Sequence, residues 1–175
     1  MGLLGFGWGL GGVLTMLVFA IVRLAPMAFE LTTLPLNLIQ WGVLAISVSY
    51  LAYAEGYKGF HKSFSPRVVV RANYLLQNPQ LVTTILAPLF CMGFIYATPK
   101  RIMTSVSLTA MIIFFVLTIR FMPQPWRGIV DAGVIVGLFL GVSSIIYYLI
   151  QFLFKPESLT FSPEVPGDPS ANPTS

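Results

Sequence analysis

The chain has 175 residues, of which 56% are hydrophobic and only 9% charged, and its net charge is +4. Soluble domains carry about one-quarter charged residues because their surfaces face water, so this composition excludes an ordinary water-soluble globule. The basic excess does not point to nucleic acid either, because the Lys and Arg residues sit between apolar runs, where membrane topology places them. Cys91 is the only cysteine, so the chain can form neither an internal disulfide nor a cysteine-based metal cluster.

Taken in chain order, the apolar runs predict an all-α integral membrane domain over 1–154, built from about five transmembrane helices. The spans are expected at roughly 3–22, 36–57, 81–97, 102–122 and 129–154, each near the ~20 residues needed to cross the hydrocarbon core. The runs are continuously apolar with no alternation, which favours helices over a β-barrel. The first run has no Lys or Arg before Arg23 and no small-x-small cleavage site, so it reads as a retained helix rather than a signal peptide. Pro88 lies inside the third run and is expected to kink it. From Lys155 to Ser175 the composition turns to Pro, Ser, Glu and Gly, which predicts a disordered tail.

The stretch from Tyr50 to Asn78 departs from plain apolar filler. Tyr50, Tyr53, Tyr57, Phe60 and Phe64 recur at spacings of three and four, which puts them on one helix face. Glu55, Lys58 and Lys62 fall on another, with Glu55 and Lys58 spaced to pair at i, i+3. Gly56 and Gly59 soften the segment. Ser65-Pro66 has the form of an N-cap followed by a first helical proline, so a new helix is expected over 66–77. Its two faces differ: Arg67, Arg71, Tyr74 and Asn78 on one side, Val68, Ala72, Leu75 and Leu76 on the other. That pattern predicts a short amphipathic helix at the membrane surface, with its arginines toward anionic headgroups.

Two functional readings attach to this stretch. Lys58, His61, Lys62, Ser65, Arg67 and Arg71 could form a cytoplasmic anion or lipid-headgroup pocket. A basic loop that merely obeys the positive-inside rule explains the same residues. Glu55 is a candidate because an ionisable group is costly within a span. The alternative is an interfacial glutamate paired with Lys58. Asp131 suits the first turn of the last helix, and Arg23 and Arg120 can extend from their helix ends to the headgroups.

Small residues mark packing or docking faces. Gly133, Gly137 and Gly141 form a GxxxGxxxG ridge, and Gly5 with Gly9 and Gly7 with Gly11 repeat the spacing in the first run. Such ridges serve the bundle itself or another subunit. No phosphate loop, metalloprotease motif, nucleophile elbow or paired acidic motif is present, so no catalytic residue, metal or cofactor is expected. The expected function is a non-enzymatic accessory, scaffold or assembly subunit of a larger membrane complex. The alternative is a small oligomeric transporter or lipid-handling protein using Glu55 and the basic loop. The expected partners are membrane lipids, anionic headgroups among them, and other membrane subunits or further copies of the chain. Five spans and a six-to-four bias of basic residues predict an N-terminus in the cytoplasm and a C-terminus outside, and the compact spans and short loops suit a bacterial inner membrane.

Overall fold

The computed structural model describes residues 1–78, 80–155 and 163–165. The described residues are predominantly helical, without a strand. The elements are α1 (Gly2–Glu30), α2 (Leu38–Leu51), a π-helical segment (Ala52–Phe64), α3 (Ser65–Gln77), α4 (Leu81–Ile85), α5 (Ala87–Met92), α6 (Pro99–Arg120) and α7 (Trp126–Phe154). Four helices are long and apolar enough to cross a membrane: Gly2–Thr33, Leu38–Gln77, Pro99–Arg120 and Trp126–Phe154. Apart from Lys155 and residues 163–165, the expected disordered tail lies outside the described residues.

Local sequence explains where these helices begin and end. Asn37 caps α2 reciprocally with Gln40: the Asn37 backbone N–H donates to Gln40 Oε1 at 2.9 Å, and the Asn37 side chain accepts from the first turn. α3 covers the segment expected from Ser65-Pro66, but it does not restart the chain there. Phe64 is already helical, and the Ser65 N–H donates to Phe60 O, five residues back. The widened turns therefore run straight into α3. Pro66, which has no N–H to give, stands where the ladder narrows again.

The continuous helix expected over 81–97 is instead two short helices and an irregular stretch. Pro88 lacks an N–H and its ring opposes the carbonyl four residues earlier, so the helix breaks at Leu86. Gly93, at φ +83°, then ends α5 in the left-handed conformation that glycine adopts without strain.

The glycine ridges decide how the long helices meet. α7 lies along α2 and the π segment: a Cβ at Gly133 would fall 2.6 Å from Leu51 Cδ1, and one at Gly141 2.7 Å from the Phe60 ring. These are approaches that only a bare backbone permits. The ridge of Gly133, Gly137 and Gly141 is thus spent inside the molecule. On α1, Gly5 faces Leu75 and Thr84 and Gly9 faces Ala87 and Cys91, whereas Gly7 and Gly11 meet nothing.

The partners of α1 advance steadily along it: Leu76 at Gly2, Thr84 at Gly5, Ala87 and Cys91 at Gly9, Pro88 at Gly12. At the far end, Gln124, beyond α6, donates from Nε2 to Glu30 Oε2 at 2.7 Å, and Gly128 rests on Met27 and Leu31. The rings of Phe6 and Phe152 lie 6.2 Å apart, so the start of α1 and the end of α7 share one end of the bundle. This differs from the opposite placement expected from five spans. The buried centre gathers Leu10 and Val13 of α1, Val68, Val69, Ala72 and Leu75 of α3, Phe90 and Cys91 of α5, and Ile145 of α7.

Candidate functional site

Two polar centres lie within this apolar scaffold. The first is built on the π segment. A run of thirteen residues with i→i+5 hydrogen bonding is long, since such turns usually occur singly and often at functional sites. Gly56 packs where a Cβ would be 2.6 Å from Leu140 Cδ1, which brings the widened helix close to α7. Glu55 is thereby pressed on α7 beside Gly137, whose Cβ would lie 3.4 Å from Glu55 Oε2. The i, i+3 pair expected with Lys58 does not form among the described residues, because the widened turns alter which side chains stand above one another. Lys58 is exposed.

One turn further, His61 Nδ1 and Ser144 Oγ share a hydrogen bond of 2.8 Å. The imidazole stacks on Tyr57 at 5.8 Å and lies against Tyr148 at 5.2 Å and Tyr147 at 5.8 Å. Tyr53 continues the stack below Tyr57, and the Lys62 ammonium sits 4.8 Å from the Tyr57 ring centre. The aromatic stripe read from the sequence is divided. Tyr50, Tyr53 and Tyr57 stay exposed, whereas Phe60 turns onto Gly141 and Phe64 onto the buried centre.

The second centre is Arg71. The surface-helix reading placed it toward headgroups; it is instead 2% exposed, among the most buried side chains in the molecule. Its Nε donates to Phe90 O at 2.6 Å, Nη1 to Pro163 O at 2.5 Å, and Nη2 to Ile95 O and Tyr96 O at 2.9 and 3.0 Å. The guanidinium also lies 4.2 Å from the Phe90 ring centre. The reason is the broken helix. Irregular backbone within a membrane leaves carbonyls without helical partners, and these must be satisfied by protein groups. The planar five-donor fork of Arg71 answers Ile95 O and Tyr96 O, and shares Phe90 O with the Gly93 N–H. Trp8 Nε1 donates to a further one, Ile85 O, at 3.2 Å, and Ser105 Oγ to Met92 O at 3.2 Å. Tyr96 holds a left-handed φ of +49°, a strained conformation for a non-glycine residue, while its carbonyl is bound by Arg71.

Beside Arg71, Arg67 and Arg101 flank Glu164 at 3.8 and 3.6 Å. The structure thus joins Arg67 and Arg71, as the sequence suggested, and adds Arg101 and Glu164, which sequence reasoning missed. Their only signal was charge in two segments far apart along the chain. Lys58, His61 and Lys62 belong to the π segment instead. Ser65 is fully buried at the start of α3, and its Oγ has no hydrogen-bond partner among the described residues. No group of three His, Cys, Asp or Glu residues able to hold a metal occurs among the described residues. Comparison with protein-family models, curated proteins and solved structures finds no match to this chain.

Proposed function

We propose that this chain is a four-pass membrane subunit that docks on a partner membrane protein through α6. The observation that carries this reading is the isolation of α6. It has 22 residues, and only Ser105 near its start and Ile119 near its end are buried. Between them Met111, Ile112, Phe114, Phe115, Val116 and Leu117 are all exposed. The ridge of Gly133, Gly137 and Gly141 holds α7 to α2 and the π segment, the α1 glycines meet α3, α4 and α5, and α6 has no such ridge. A helix in lipid gains little from hydrophobicity alone, so side-chain packing against another helix is what remains available to it. In this reading α4, α5 and α6 together make one return crossing, which the sequence divided into two.

The same reading carries an orientation. Lys62, Arg67, Arg71, Lys100, Arg101 and Lys155 lie toward the end that holds the start of α1 and the end of α7, and Arg23, Arg120 and Arg127 toward the other. On this reading the positive-inside rule puts the start of α1 and the end of α7 on the cytoplasmic side. The test is site-specific photo-crosslinking in native membranes from Ile112 and Phe114, with Phe19 on α1 as the control. A discrete heteromeric adduct from the α6 positions alone is expected. Lipid adducts only, or equal labelling from Phe19, would remove the reading, and an adduct of twice the chain's own mass would replace it with self-association.

Glu55 favours a second reading, transport of a proton or cation. It is an ionisable side chain within a span, pressed on the α7 backbone, with no hydrogen bond or ion pair among the described residues. Flux into proteoliposomes that survives Glu55→Gln unchanged would end it.

A further inference from the structure

Among the described residues, the cluster around Glu164 brings more guanidinium charge than one carboxylate balances. Among the described residues, three guanidinium groups surround it: Arg67 and Arg101 face the carboxylate, and Arg71 binds the preceding carbonyl. Both facing pairs, at 3.8 and 3.6 Å, are longer than the ~2.7–2.9 Å of a good charge-assisted hydrogen bond. Arg101 Nε is buried with no hydrogen-bond partner among the described residues, a condition that costs stability unless something else fills it. Gly93 keeps the space open, since a Cβ there would lie 3.0 Å from Arg101 Nε.

The segment that supplies the carboxylate is held at a few points. Pro163 O accepts from Arg71, Glu164 O accepts from the Thr98 N–H at 3.0 Å, and Val165 is buried in the apolar centre. Glu164 itself sits at φ +51°, a left-handed conformation that a residue with a Cβ adopts at a cost.

We propose that Arg67, Arg71 and Arg101 form a binding site for a phosphate group, and that Pro163–Val165 is a latch whose Glu164 carboxylate occupies that site in cis. A phosphate brings more negative charge and more acceptor oxygens than a carboxylate, so it can reach both guanidinium groups at hydrogen-bond distance and supply the acceptor that Arg101 Nε lacks. Binding displaces Glu164, relieves its backbone conformation and releases Pro163–Val165 from the arginines. This site does not depend on the docking role of α6.

The experiment uses the full chain in maltoside micelles, which contain no phosphate, with two probes: phosphatidic acid and inorganic phosphate. Glu164→Gln keeps the side-chain size and removes the competing charge, so affinity for the phosphate probe rises about tenfold. Arg101→Gln added to that variant abolishes the gain. Binding of phosphatidic acid alone identifies a lipid headgroup as the source, and comparable binding of both probes identifies the phosphate group whatever carries it. Failure of both probes to bind, no gain in Glu164→Gln, or a gain that survives Arg101→Gln overturns the proposal. Should the variants not fold, hydrogen exchange in the wild-type chain decides. Exchange at 164 and 165 increases on adding the bound probe if the latch opens, and unchanged exchange with a probe bound overturns the proposal.

Discussion

His61 and Ser144, 83 residues apart in sequence, meet at 2.8 Å between Nδ1 and Oγ. The contact adds a directional bond between the π segment and α7, beside the Glu55 contact at Gly137 and the glycine and aromatic packing. The same bond holds the imidazole within the tyrosine stack and so orients the one histidine of the chain.

A double-mutant cycle measures that bond. His61→Ala and Ser144→Ala each remove one partner, and the pair is expected to couple by about 1 kcal/mol. Unfolding in mixed micelles, followed for the two single variants and the double, supplies the value. Strictly additive losses would show that the contact contributes nothing beyond packing.

The two glycine ridges of α1 are equivalent in sequence and unlike in structure. A Cβ at Gly9 would lie 2.7 Å from Cys91 Sγ, while one at Gly11 meets nothing. Gly9→Val is therefore expected to cost about 1–3 kcal/mol through overpacking, and Gly11→Ala to leave stability within about 0.5 kcal/mol. Comparing melting temperatures in one detergent distinguishes the two positions.

Arg71 and Arg67 share a helix but not a role. Replacing Arg71 by Lys keeps the charge and loses the fork that reaches Phe90, Ile95, Tyr96 and Pro163, so about 3 kcal/mol or more of stability is expected to go. Arg67→Lys, at a half-exposed ion pair, should change stability by under about 1 kcal/mol. Equal losses for both would mean that the carbonyl bonds of Arg71 are unimportant to folding.

Cys91 reports on the buried centre. It is 1% exposed, between α1 and α3, and a thiol buried this way is inert to alkylation. A maleimide is expected to leave the folded protein unlabelled and to react stoichiometrically once the chain is denatured. Rapid labelling in mild detergent would place α5 away from α1.

Composition and apolar run length determined by themselves that this chain is a bundle of long membrane-type helices. They located α1, α2, α6 and α7, because a lipid solvent requires only that a run be long, apolar and internally hydrogen-bonded. The extent of the helix from Ser65 to Gln77 was legible as well, but Ser65 is not its cap and the helix continues from the π segment. The partners of these helices were not. In a membrane both the buried and the lipid-facing sides are apolar, so periodicity cannot say which side meets protein. The ridge of Gly133, Gly137 and Gly141 was visible, but only packing decided that α2 and the π segment fill it.

Arg71 shows the same division most sharply. Its place on a cationic helix face suggested headgroups, and its burial depends on a different segment breaking at Leu86 and Gly93. The carbonyls released there need donors, and α3 happens to cross where Arg71 can supply them. A charged side chain can sit inside an apolar bundle only when another part of the chain presents unsatisfied acceptors to it. That match is a property of two segments in space, so no reading of either one alone contains it.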